Sequence, residues 1–293
     1  MKELVKKLRN YEIRIRKAIT TQMQGDFHSV FKGTGLEFDD VRAYQYGDDV
    51  RSIDWNVSAK GHGTFVKTYR EEKEQSVFLM LDVSASQTIG TGAQQKIDVG
   101  KEICGVLALS AARQQSQIGM ICISDQKEKY IKPSKGIQQA YSIIKSLSVL
   151  QPKSVKTNLA AGIKLTLDII KRRSIILLIS DFIDINYEKE LAMLARRHDL
   201  IVLHLVDVRE HHLPPMGIVP VLDKETGRTI WLNTSGEDFQ KRYLAQYTEN
   251  KENLMRLCQK YQANYLTIET NEDYVPQLVN LFRLRNKTTK KSA

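Results

Sequence analysis

The sequence predicts an α/β protein with a doubly wound, mostly parallel sheet, an N-terminal helix/strand extension and a hairpin insertion. Three observations predict it. From residue 76 onward, short apolar runs alternate with stretches of helical length. The runs are nearly continuous in their apolar character, as expected for strands covered on both faces. Two of them, "VFLMLD" and "IILLISD", run straight into an aspartate at the carboxyl end, where ligands bind in such sheets.

The elements follow in order. Residues 1–20 predict a helix, because Leu4, Leu8, Tyr11 and Ile15 fall on one stripe while Lys6, Lys7, Arg14 and Lys17 lie off it. Residues 25–72 are rich in Gly and Asp, with scattered aromatics and a short internal echo: "DDVRAY" at 39–44 and "DDVRSI" at 48–53. In the second copy Gly47 supplies a turn with φ > 0. Asp48 or Asp49 then caps a helical turn carrying Arg51 and Asp54. An Asp and an Arg three residues apart can meet on one face. The segment therefore predicts a salt-bridged collar with Trp55 as its apolar anchor. "TFVKTY" at 64–69 predicts a strand.

Residues 1–75 thus form an extension, and residues 76–285 the α/β domain. Its strands are expected at 77–81, 117–123, 174–180, 200–206 and 264–268, and its helices at 96–114, 136–148, 158–172, 188–197, 240–262 and 273–285. Residues 209–234 break the rhythm. Pro214, Pro215 and Pro220 rule out a continuous helix, and "VLDKETGRTIWL" predicts a hairpin turning at Lys224 to Gly227. Residues 286–293 form a basic tail.

Composition excludes several classes. No apolar run approaches the roughly 18 residues that a membrane span needs, and charges throughout the first 17 residues leave no secretory core. Cys104, Cys122 and Cys258 are widely spaced, so core thiols in a reducing, cytoplasmic compartment are expected. The net charge of +10 comes from the two ends, because residues 1–20 and 283–293 each carry +5. The body between them has no formal excess with which to grip phosphates, so no specific nucleic-acid binding is expected. No Gly-rich phosphate loop is present, so the chain is not expected to bind ATP.

The chemistry gathers at "DVSAS". Asp82, Ser84 and Ser86 leave the end of the first core strand, and Asp181 ends another. Thr157 precedes a helix. Singly, Thr157 reads as a helix cap and Asp181 as a turn residue. Together they offer hard oxygens with no nitrogen or sulfur, which suits Mg²⁺, Mn²⁺ or Ca²⁺. The set D-x-S-x-S, then Thr157, then Asp181 resembles the metal-ion-dependent adhesion site of von Willebrand factor A-like domains, over residues 76 to about 208. That resemblance implies direct ligation by Ser84, Ser86 and Thr157, with Asp82 and Asp181 acting through water. Gln87 stands where many such domains have Met, and little effect is expected of it.

A second resemblance covers residues 25–285. The block Gly35, Glu37, Phe38, Arg42, Tyr44, Gly47, Asp48, Asp49, Arg51, Ile53, Asp54, Trp55, Ser58 and Ala59 is similar to the signature of the bacterial domain-of-unknown-function fifty-eight family. "LVDVREHHLPPMG" is similar to that family's later segment. This resemblance implies an adaptor working with a MoxR-type AAA+ ATPase and other von Willebrand A-like proteins, in remodelling or maturation of proteins. A partner's Asp or Glu would complete the metal's coordination. The alternative expectation is a phosphohydrolase with Asp82 as nucleophile. It lacks the second carboxylate that such an enzyme would want at position 84, which holds a serine.

Overall fold

A computed structural model describes residues 36–61, 63–71, 76–88, 95–211, 215–222 and 228–291. The helix expected over residues 1–20, Gly35 of the signature, and the hairpin turn at Lys224 to Gly227 lie outside the described residues. The chain divides at Ser76 into two compact units.

The first unit is built on two antiparallel strands, β1 (Leu36–Ala43) and β2 (Phe65–Glu71). The sequence reading anticipated only the second. Its acidic residues act as caps. Asp49 accepts a hydrogen bond from the Arg51 amide at 2.9 Å and starts a 3-10 turn at Val50–Ser52. Asp54 accepts from the Asn56 and Val57 amides and starts the short helix α1 (Trp55–Ser58). Gly47 has φ 107° at the bend before them. The expected Arg51 pairing is corrected. Asp48 is held in a bidentate pair by Arg42, at 2.7 and 2.8 Å, and Asp54 pairs with Lys67 at 3.5 Å. The collar's supposed anchor, Trp55, is 68% exposed and so anchors nothing within this unit.

The second unit carries a six-stranded sheet in the order β10-β7-β6-β3-β4-β5. Its strands are β3 (Val77–Asp82), β4 (Ile118–Ile123), β5 (Lys127–Ser134), β6 (Ile175–Ser180), β7 (Asp199–Val206) and β10 (Asn264–Glu269). Every pair is parallel except β4 with β5. The edge strand β5 escapes sequence reading because "KEKYIKPS" has few apolar residues; Pro133 is tolerated there because an edge strand can do without one amide.

Side-chain alternation along the strands builds two cores. Val77, Leu79 and Leu81 face α2 (Lys96–Arg113) and α3 (Ile137–Ser148), with α8 (Val275–Lys291) on the same side. Phe78 and Met80 face the layer of α4 (Leu159–Ile169), α5 (Glu188–Arg197) and α7 (Glu237–Lys260). The helix α8 runs through the stretch expected as a tail, because the apolar stripe that buries Leu278 and Phe282 starts a helix long enough to continue past it. Cys104, Cys122 and Cys258 are buried free thiols, as expected. Between β7 and α7 lie the one-turn helix α6 (Val208–His211) and the hairpin β8 (Ile218–Leu222) with β9 (Thr229–Asn233). No described helix is long and apolar enough to cross a membrane.

Close helix–sheet approach fixes the site's frame. A Cβ on Gly162 would fall 2.4 Å from Ile123 Cδ1, so α4 lies against β4 as only glycine permits. Gly100 likewise brings α2 near Leu81, whose Cδ1 an added Cβ would meet at 2.8 Å.

Candidate metal centre

In this sheet the chain runs from β3 to β4 on one side and returns to β6 on the other. Strand order therefore reverses between β3 and β6, and open α/β sheets bind ligands beyond the carboxyl ends at such a reversal. Asp82 is the last residue of β3, and Asp181 follows Ser180, the last residue of β6. The topology thus brings together two aspartates 99 positions apart in the sequence.

Asp82 turns the chain inward. Its Oδ1 accepts the Ser84 amide at 3.0 Å, which ends the strand in an Asx turn. Its Oδ2 accepts the Ser180 hydroxyl at 2.7 Å and the Gln87 side-chain amide at 3.5 Å. Ser84 and Ser86 then present hydroxyl oxygens 3.0 Å apart. The Ser86 hydroxyl donates to Asp181 Oδ1 at 3.4 Å. Backbone ties hold the third loop alongside: the Ala85 amide donates to Val155 O at 3.0 Å. The Leu159 amide donates to Asp184 Oδ2 at 2.7 Å. Thr157 sits half-buried in that loop. It is not the helix cap; Asn158 is, with its Oδ1 accepting the Ala161 amide at 2.8 Å.

The family model described as "Protein of unknown function DUF58" matches residues 40–253. The chain belongs to the DUF58 family. The uncharacterized protein Rv1480 of Mycobacterium tuberculosis is 25% identical over 290 residues, covering 97% of this chain and 90% of that one. The uncharacterized protein MAV169 of Mycobacterium avium is 29% identical over 140 residues, covering 46% of this chain and 80% of its own. Among solved structures, this DUF58 chain is similar to the conserved hypothetical protein BatB from Bacteroides thetaiotaomicron. The TM-score is 0.44 at 13% identity, over 73% of this chain and 99% of that one. It is also similar to the SpRpn10 VWA domain, with TM-score 0.36 at 12% identity, over 70% and 94%.

The crevice contains residues that sequence reasoning missed. Lys96, the first residue of α2, is 0% exposed. Its ammonium donates to Asp181 Oδ2 at 2.6 Å and to Glu210. Glu210 in α6 also accepts the Asp207 amide at 3.1 Å through its other oxygen. One signal for Lys96 was in the sequence: a cation at the first position of a helix opposes the helix dipole and needs an acidic partner. Nothing local identified Glu210 as that partner. Gln87, which stands where many such domains have Met, also packs here. It is fully buried beside Asp82, and its Oε1 has no hydrogen-bond partner among the described atoms.

Buried charge dominates the crevice. Asp82 is pushed above the usual carboxylate range by burial and by the charge of Asp181. Burial works against the Lys96 ammonium, yet Asp181 and Glu210 hold it charged. Burial raises Glu210 above its ordinary value although Lys96 pulls it down. Two buried carboxylates, Asp181 and Glu210, thus hold a single ammonium. Among the described residues no three His, Cys, Asp or Glu side chains cluster as a metal site. A cation here would depend on hydroxyl oxygens, and the hydroxyl pair fits one. The Ser84 and Ser86 oxygens are 3.0 Å apart because the two hydroxyls hydrogen-bond to each other, and adjacent oxygens on an octahedral ion with bonds of about 2.1 Å would take a similar spacing, about 3 Å.

Proposed function

We propose that this DUF58 protein is a metal-dependent protein-interaction module whose docking point is the crevice between β3 and β6. The observation that carries the reading is the pair of hydroxyl oxygens 3.0 Å apart at the strand-order reversal, backed by Asp82 and Asp181. Ser84, Ser86 and Thr157 would hold Mg²⁺ or Mn²⁺, with Ca²⁺ a further oxygen-seeking occupant. When bound, such an ion supplies a coordination position that accepts a carboxylate from another protein. Asp82 holds Ser84 in place through its amide, and Asp181 orients Ser86. Neutral hydroxyls leave the ion's charge largely uncompensated, so an Asp or Glu side chain is the complementary group.

The hydrolase alternative fits less well. Both Asp82 oxygens are already engaged by the protein, Oδ1 by the Ser84 amide and Oδ2 by the Ser180 hydroxyl, and position 84 holds no second carboxylate. The family resemblance points instead to an adaptor for a MoxR-type AAA+ ATPase, acting in the cytoplasm with other von Willebrand A-like proteins. The test is affinity purification of the tagged full chain in Mg²⁺ or in EDTA. An AAA+ ATPase is expected in the Mg²⁺ eluate and absent with EDTA, with Asp82→Ala and with Thr157→Ala. Equal recovery in all four arms would reject metal-dependent docking.

A further inference from the structure

The buried lysine beside the hydroxyl pair is not explained by a metal site alone. Its charge sits where a divalent cation's charge would also act. Asp181 is divided: Oδ2 receives the Lys96 ammonium at 2.6 Å, and Oδ1 receives the Ser86 hydroxyl at 3.4 Å and the Ile183 amide at 3.3 Å. Lys96 cannot swing into solvent, because it is fully buried and also bonded to Glu210. Glu210 is itself fixed by the Asp207 amide at 3.1 Å. The ammonium is therefore a permanent part of the crevice.

We propose that Lys96 is a resident cation that competes with the divalent ion for Asp181, keeping metal affinity low and the bound ion's charge available to an outside carboxylate. The proposal rests on the metal-dependent reading above and adds its regulation. The argument is Coulombic. Like charges a few ångströms apart repel, and the effect is strong away from water. With half of Asp181 committed to Lys96, the ion receives less than a full negative charge from that side. Glu210 sets how much: it draws part of the ammonium's charge toward itself and so releases part of Asp181.

This arrangement makes two variants of one buried triad move metal affinity in opposite directions. Lys96→Met removes the competitor and returns the whole of Asp181 to the ion. Glu210→Gln keeps shape and most hydrogen bonding, but concentrates Lys96 on Asp181. A triad that served only to stabilise the fold would give the same sign for both, because either change breaks the same network.

Isothermal titration of the full chain with Mn²⁺ tests it. Lys96→Met should tighten the dissociation constant about ten-fold or more, and Glu210→Gln should weaken it several-fold, as expected for unit charges at this range. Lys96→Met leaves Asp181 and Glu210 without their cation, so Mn²⁺ should also raise its melting temperature more than that of the wild type. That second readout works even where the metal-free variant is partly unfolded. Shifts of the same sign in both variants, with the wild type binding, would overturn the role of Lys96 and leave the metal site standing. Absence of Mn²⁺ binding in the wild type and both variants would overturn the metal site and this proposal together.

Discussion

Both oxygens of Asp82 accept hydrogen bonds from within the protein, and that sorts the residues of the crevice by role. Its contacts to the Ser84 amide and the Ser180 hydroxyl make it an orienting group, while the two serine hydroxyls supply the donor edge. That Asp82, Ser84, Ser86 and Asp181 meet was legible in the sequence because they stand at or just after strand ends of a regular βα pattern, while Thr157 lies in the loop that Val155 ties to Ala85. Lys96, Glu210 and Ser180 were not legible, because their meeting depends on α2 and α6 packing above the same two strands. Away from the crevice, His198 closes α5 with 2% exposure and neither ring nitrogen hydrogen-bonded. Burial lowers its pKa to about 4, with Arg197 and Arg173 adding to the effect. The imidazole is therefore neutral in the fold and takes up a proton on unfolding near its ordinary value of about 6.5. Its contribution is intact above that value and is lost as pH falls toward about 4. Urea unfolding is expected to show the wild type losing roughly 3 kcal/mol over this window relative to His198→Leu. Parallel pH curves for the two proteins would show that His198 is solvated.

At the scale of elements, the parallel strands were readable because burial on both faces leaves an unbroken apolar run. The edge strand β5 and the strand β1 were not. β5 has one neighbour and much of it faces solvent, so its composition resembles a loop. The order of the sheet also lay beyond local patterns, although it decides that the ends of β3 and β6 adjoin. The helix α4 matters most to the centre, since the Thr157 loop leads into it. Gly162 is its point of contact with β4, where an added Cβ would meet both Cδ1 and Cβ of Ile123. Gly162→Ala is expected to cost about 1–3 kcal/mol through overpacking. It should also weaken Mn²⁺ binding, because α4 must lift its N-terminal end. Thermal melts and metal titration of the same sample check both effects. A variant with unchanged stability would mean that Ile123 repacks freely.

For the whole molecule, charge and fold give separate messages. The basic excess belongs to residues 1–20 and 283–293, whereas the body sums to zero. Binding to a DNA duplex is accordingly expected to be weak, independent of sequence, and lost between about 50 and 200 mM salt. Fluorescence anisotropy with two unrelated duplexes checks this, and sequence preference at about 150 mM salt would refute it. The six-stranded sheet exists in this account to hold three loops in register around one cation. Electron paramagnetic resonance of Mn²⁺ tests that most directly, because the free ion's signal disappears when the protein binds it. The wild-type chain should remove one Mn²⁺ per molecule, and Ser84→Ala/Ser86→Ala should leave the free signal intact while retaining the wild-type circular dichroism. Equal uptake by both proteins, or none by the folded wild type, would contradict a cation held on those hydroxyls.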